Sequence, residues 1–196
     1  MKHPFETRIF KTKDLAEKIL KEAHAEATAF AAKHGRKPTL AVVLVGTDPA
    51  SQIYVGKKSE TCRANGLEAL DFKLAPEDGF GKLEALVKEL NRREDIDGIL
   101  VQSPLPKGWD EERIQATVSP EKDVDGFHPL NVGALSLHAN RILSGGLPSC
   151  TPAGVMEILR EANISLRGKH AVVIGRSNIV GKPMAQMLLA ADATVT

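Results

Sequence analysis

Residues 39–46 read Thr39-Leu-Ala-Val-Val-Leu-Val-Gly46, and positions 40–45 are apolar without interruption. A strand built from them would show water no polar face, which is the pattern of a central strand in a parallel sheet covered on both sides. Working outward, Asp14 is predicted to cap a preceding helix with Glu17 as its capping-box partner. Leu15, Ile19, Ala23, Ala27 and Phe30 then recur at helical spacing until Gly35 stops them. On the other side, Asp48-Pro49 opens a helix that runs to about Asn65-Gly66. Asp caps it, and proline in the first turn lacks only an N–H that would go unpaired anyway. Leu70, Phe72 and Leu74 alternate like a strand, while Leu83, Leu86, Val87 and Leu90 form a helical stripe. Residues 96–102 read as another buried strand, cut off by Pro104 and Pro106. Strands alternating with helices predict an α/β domain with a parallel sheet. Ligands of such sheets sit beyond the carboxyl ends of the strands, where Gln102 and the loop after Val45 would lie.

Residues 103–150 read as loop-rich, with a composition break at Ser144-Gly-Gly-Leu-Pro148. Thr151-Pro152 is a second cap-then-proline start, with Val155, Ile158 and Leu159 on one face. His170-Ala-Val-Val-Ile-Gly175 reads as a short buried strand, followed by a glycine-bearing turn and a helix from about Pro183. Ala193-Thr-Val-Thr196 reads as the first half of a further strand, so the sequence is expected to be cut inside a domain. Two domains are predicted, 1–148 and 149–196, the second being the opening β-α-β of a nucleotide-binding fold.

Composition narrows the function. Of 196 residues, 26 are Lys or Arg and 25 are Asp or Glu, a net charge of +1. That balance offers no field for gripping a polyanion, so no nucleic-acid or membrane partner is expected. No apolar run approaches the ~18 residues of a membrane span, and residues 1–8 resemble neither a signal nor a transit segment. Two cysteines, Cys62 and Cys150, make no disulfide framework, and a reduced, cytoplasmic compartment is the plain reading. The six histidines include no pair at helical ligand spacing and no C-x-x-C occurs, so no metal site is expected.

Several residues have chemical potential. Ser51, Tyr54 and Lys58 share a face of the helix after Pro49, while Ile53 and Ala64 are free to pack inward. A partly buried lysine at the ligand edge of a sheet is a usable general base; the plainer alternative is a solvated surface lysine. Gln102 at the mouth of an apolar strand needs partners; it could orient a ligand, hold the Lys58 amine, or cap loop backbone. Asp123-Val-Asp-Gly126 sets two carboxylates in one loop, pointing different ways. One could accept from ring N–H groups of a ligand, or both could serve the turn. Cys150, just before a helix start, is either an activated thiol or a small packing residue.

Gly175-Arg-Ser-Asn-Ile-Val-Gly181 lies between a strand and a helix, a context suited to phosphate binding by backbone N–H groups. It is not G-x-G-x-x-G, because Ser177 replaces the second glycine. It is not a P-loop either, with five residues between the glycines and Pro183 where a hydroxyl is required. In a dinucleotide site Arg176 and Ser177 would favour a 2′-phosphate, hence NADP over NAD. The alternative is an ordinary strand–helix turn.

Taken together, five blocks resemble the methylenetetrahydrofolate dehydrogenase/cyclohydrolase family. They are Val45-Gly-Thr-Asp-Pro-Ala-Ser51 with Tyr54-Val-Gly-Lys-Lys58 and Asn65-Gly66; Gly98-Ile-Leu-Val-Gln-Ser-Pro-Leu-Pro106; Pro120-Glu-Lys-Asp-Val-Asp-Gly-Phe-His-Pro129; Cys150-Thr-Pro152 with Gly154; and Gly175-Arg-Ser-Asn-Ile-Val-Gly-Lys-Pro183. The resemblance implies an N-terminal α/β folate domain, a Rossmann-like NADP domain that is incomplete here, and a folate cleft between them. It implies oxidation of methylenetetrahydrofolate with NADP⁺ and hydrolysis of the methenyl product to 10-formyltetrahydrofolate. By motif position the family's lysine falls on Lys58 and not Lys57, its substrate-stacking tyrosine on Tyr54, its glutamine on Gln102 and its pterin-binding aspartate on Asp125. Val101 and Ser103 flank the glutamine as substrate-lining positions, and Gly175, Arg176 and Ser177 take the cofactor. A cytoplasmic homodimer, joined through the nucleotide domain, is implied too. Ser103 departs from the Leu of many relatives, and the family's last blocks are missing: a Gly-rich, Pro-bearing segment and a helix returning to the first domain. The alternatives are loss of one of the two activities, or a catalytically silent folate-binding fragment.

Overall fold

The structure is a computed structural model that describes residues 9–142 and 147–196. The sequence readings at residues 1–8 and at 144–146 lie outside the described residues. The chain runs α1 (Lys13–His34), β1 (Thr39–Val45), α2 (Pro49–Ala64), β2 (Glu68–Leu74), α3 (Phe80–Arg92), β3 (Gly98–Val101), α4 (Glu111–Gln115), α5 (Pro129–Ile142), α6 (Cys150–Glu161), β4 (His170–Ala171), α7 (Gly181–Ala190) and β5 (Thr194–Val195).

β1 lies between β2 and β3, and both pairings are parallel. Val43 stands opposite Phe72 on one side and Val101 on the other. Its apolar run is buried on both faces, as the uninterrupted pattern predicts. Ala41, Val43 and Val45 pack with Leu83, Val87 and Leu90 of α3, while Val42 and Leu44 pack with Leu100 and Val55 of α2. Leu83 and Leu90 are fully enclosed, and each such burial contributes roughly 1.5–3 kcal/mol. A second core joins Leu135 of α5 to Met184, Met187 and Leu188 of α7, with Met156 and Leu159 of α6 against it.

The amino end of β1 is pinned electrostatically. Asp97 takes Arg36 in a two-toothed ion pair at 2.6 and 2.8 Å and accepts the Thr39 N–H at 2.8 Å. The guanidinium holds the Asp97 carboxyl below its ordinary 3.8. A carboxyl depressed in the folded chain adds stability above its unfolded value and loses it as pH falls through the folded one. Because the pair is a third exposed, Asp97→Asn is expected to cost about 1 kcal/mol. Urea unfolding at pH 7 should show that difference, and it should shrink as the pH drops below about 4.

Several local expectations are corrected. The N-cap position of α1 is Thr12, which makes no side-chain capping bond, rather than Asp14, which lies inside the first turn; Gly35 does close the helix, its N–H on Ala31 O. The 103–150 stretch is less loop-like than it reads, because α4 and α5 occupy much of it. In α5, Leu135 is enclosed while Leu130 and Leu137 are exposed. α6 starts at Cys150 with Ser149 at its cap, so Pro152 is its third residue. Its packed face is Ala153, Met156 and Leu159, and Val155 is exposed. The 170–175 strand is paired only at His170 and Ala171, plus the Val173 N–H on Thr196 O. It is not buried: Val173 turns to the helices, but Val172 and Ile174 point outward and Ile174 is wholly exposed.

Candidate active site

The site grows from the carboxyl edge of the sheet. β1 ends at Val45, and Asp48 restarts the chain as a helix by accepting the Ser51 N–H at 2.8 Å, with Pro49 in the first turn. That hydrogen bond holds the Asp48 carboxyl below the usual range. α2 leans on the sheet through Ser51, Val55 and Ser59, and Ser59 donates to Asp71 of β2 at 2.5 Å. This rotation leaves Ile53 and Ala64 exposed rather than packed inward. It also turns Tyr54 and Lys58 to the cleft, with Ser51 on the cleft's buried floor.

The Lys58 amine donates to Gln102 Oε1 at 3.2 Å, so of the three partners open to Gln102 two are realised at once, the lysine by its oxygen and loop backbone by its NH₂. The Gln102 backbone N–H extends the ladder to Val43 O at 2.8 Å, and its Nε2 donates to Ser103 O at 2.5 Å. The Ser103 hydroxyl donates to Glu111. The next loop runs beside β3, with Ile99 N–H on Lys122 O at 2.7 Å, and there the two aspartates divide. Asp123 is buried and serves the loop, accepting from the N–H groups of Gly126 and His128 and from Asn131. Asp125 faces the cleft beside Lys58. Burial pushes its carboxyl up; Lys58 draws it back and Asp123 adds to the rise.

Lys58, Asp125 and Tyr54 border two connected hollows of about 450 and 620 Å³. Val101, Gln102 and Ser103 line the smaller. The larger extends past Val124 to Cys62 and Cys150. Desolvation and the neighbouring Asp125 push the Cys150 thiol up, which speaks against an activated thiol; the residue is exposed at the cleft, with Sγ donating to Val124 O at 3.3 Å. The opposite wall is Thr151 and Ile179, held there because Ser149 donates to Ile179 O at 2.5 Å. Those two and Phe127 were not singled out as site residues, although all three lie inside the quoted blocks.

The 175–181 turn is tight. A Cβ on Gly181 would meet Gly175 O at 2.5 Å, so only glycine lets the start of α7 close on the turn. Ser177 Oγ accepts the N–H groups of Val180 and Gly181 at 3.1 and 3.2 Å, and its O–H has no acceptor among the described residues. Arg176 is exposed and joins no ion pair among the described residues. A Cβ at Gly175 would stand in open space, so a group can approach the backbone there. A cation, a free hydroxyl donor and accessible backbone fit a phosphate-bearing nucleotide. Among the described residues no cluster of three metal-binding side chains occurs, and no helix is long and apolar enough to cross a membrane.

Residues 10–125 match the family model "Tetrahydrofolate dehydrogenase/cyclohydrolase, catalytic domain", and residues 149–196 match its "NAD(P)-binding domain". The chain is 50% identical over 191 residues to "Bifunctional protein FolD" of Desulfovibrio desulfuricans, covering 94% of this chain and 64% of that one. It is also 50% identical to the protein of that name from Acidithiobacillus ferrooxidans, covering 94% and 62%. Among solved structures it superposes on the bifunctional enzyme FolD of Campylobacter jejuni with a TM-score of 0.87 at 45% identity, covering 94% and 64%. It also superposes on the Trypanosoma brucei dehydrogenase-cyclohydrolase complexed with NADP cofactor and inhibitor, with a TM-score of 0.89 at 34% identity, covering 97% and 64%. The chain thus spans less than two thirds of the length of these relatives.

Proposed function

Since the chain belongs to the tetrahydrofolate dehydrogenase/cyclohydrolase family, we propose that it oxidises 5,10-methylenetetrahydrofolate with NADP⁺ and hydrolyses the methenyl product to 10-formyltetrahydrofolate. The observation that carries this reading is the Lys58–Gln102 hydrogen bond of 3.2 Å at the sheet edge, with Asp125 in the same cleft. Hydrolysis needs a water to lose a proton as it adds to the cationic carbon between the two folate nitrogens. In our reading the Lys58 amine takes that proton, and the carbon–N5 bond of the adduct then breaks with N5 receiving a proton, which leaves the formyl group on N10. Gln102 occupies one of its N–H groups and aims the rest of the amine into the cleft. Asp125 accepts from the pterin ring donors and fixes the ring's orientation. Tyr54, one helical turn before Lys58, offers its exposed ring as a stacking surface. Val101 and Ser103 border the substrate at the strand end.

Bound NADP⁺ would supply the hydride acceptor for the oxidation. Gly175 would let it approach the backbone, Arg176 would pair with its 2′-phosphate, and the free Ser177 proton would donate to the same group. We propose further that the protein works as a cytoplasmic homodimer and takes neither nucleic acid nor membrane as partner; sedimentation of the purified chain tests the dimer.

Methenyl absorbance tests the activities. Methylenetetrahydrofolate with NADP⁺ should give a rising signal, and methenyltetrahydrofolate alone should lose its signal faster than in buffer. A protein that does neither is not this enzyme. Arg176→Ala should weaken NADP⁺ by about tenfold, the loss of one charge-assisted phosphate contact, and barely change NAD⁺. An unchanged preference between the two cofactors would remove Arg176 from the phosphate site.

A further inference from the structure

The Lys58–Gln102 pair has an outer support in this chain. An amide side chain has an accepting end and a donating end. With its oxygen on Lys58, Gln102 turns its NH₂ to the other side, where an acceptor holds the amide in that orientation. That acceptor is the Ser103 carbonyl, 2.5 Å from Gln102 Nε2. Were the carbonyl to turn away, the amide could flip and set its own N–H groups against the amine. The carbonyl's direction is held from the far side of the same residue, where the Ser103 hydroxyl donates to the Glu111 carboxylate. Glu111 opens α4, which is itself anchored. Asp110 caps it by accepting the Arg113 N–H at 2.9 Å, Ile114 is buried in the core, and Arg113 pairs with Glu84 of α3 at 2.8 Å. A leucine at 103 could not make the hydroxyl contact, so this support belongs to the serine.

We propose that Ser103 and Glu111 are positioning residues: the carboxylate on α4 holds the serine, the serine carbonyl holds the Gln102 amide, and the amide holds the Lys58 amine. The proposal deepens the functional reading above and rests on it for its catalytic meaning, but the geometry is testable without turnover.

The first test is competitive acetylation of the purified protein, read by mass spectrometry as the labelling ratio of Lys58 to its exposed neighbour Lys57. Ser103→Ala and Glu111→Ala each release Lys58, and the ratio rises at least about threefold. Glu111→Gln, which keeps an accepting oxygen, leaves it at the parent value. The second test is methenyltetrahydrofolate hydrolysis. The same two alanine variants lower kcat by about tenfold, one hydrogen bond's worth, with KM unchanged. Ser103→Ala/Glu111→Ala is no worse than either alone, and Glu111→Ala adds nothing to Gln102→Ala. Glu111→Gln restores kcat, which a merely structural loss on α4 would not predict. An unchanged labelling ratio in both alanine variants overturns the proposal. So do additive losses, or a Glu111→Gln protein as impaired as Glu111→Ala. A parent protein with no turnover would count against the functional reading alone, because the labelling outcome needs no substrate.

Discussion

Lys58→Ala is expected to reduce methenyltetrahydrofolate hydrolysis by about 10²–10⁴-fold, the range of a lost general base, and to impair the oxidation severely. The fold should survive. Lys58 is half-buried, its amine bonds to Gln102, and the buried face of α2 is Ser51, Val55 and Ser59. Its thermal midpoint should therefore stay near that of the parent. The variant also removes the cation that draws the Asp125 carboxyl down, so burial and Asp123 act on that group unopposed and it rises further. Lys57→Ala is the discriminating control. Its side chain is exposed one helical position away, and its loss should change the rate by no more than about threefold. Both rates are read by methenyl absorbance. Equal damage from the two substitutions would defeat the assignment of the base to Lys58.

Gly126→Ala should be the most disruptive single methyl near the cleft. Gly126 has φ +69, and an added Cβ would lie 2.6 Å from each of Leu147 O, Pro148 C and Ser149 N. All three are backbone atoms, so no rotamer change relieves the clash. The left-handed conformation costs alanine roughly 1–2 kcal/mol, and displacing the 147–149 segment brings the total to about 3–5 kcal/mol. The injury reaches the site through covalent neighbours. Asp125 precedes Gly126, and Ser149 holds Ile179 across the cleft by its 2.5 Å hydrogen bond. Activity and stability should fall together. Gly108→Ala isolates the conformational part: φ is +88 there, but nothing lies within 4 Å of the added carbon, so only about 1 kcal/mol is expected. Thermal unfolding of the pair checks this, and a Gly126→Ala protein as stable as Gly108→Ala would refute the close-approach argument.

The readings that held share a physical property: they depend on neighbours within one or two turns. An apolar run at 40–45 has to be covered on both faces, and β1 is. Asp48 before Pro49 caps α2, and Leu83, Val87 and Leu90 at helical spacing bury one face of α3. The motif blocks name Lys58, Gln102 and Asp125 by family resemblance rather than by local pattern, and the structure brings the three to one cleft. Where local pattern was weak, reading failed. Leu135 of α5 turns to its core while Leu130 and Leu137 stay exposed, and Ile53 looked inward until the packing of Val55 fixed the rotation of α2.

The sequence by itself determined the alternation of strands and helices, the burial of β1 and the ligand edge of its sheet, because hydrophobic periodicity and capping are local. Only the tertiary structure decided which amide end Gln102 shows to Lys58, that Glu111 stands behind Ser103, and that Ile179 walls the cleft opposite Asp125. Those contacts join residues brought together by helix and sheet packing. Their geometry depends on how whole elements are rotated and spaced, which no window of neighbouring residues encodes.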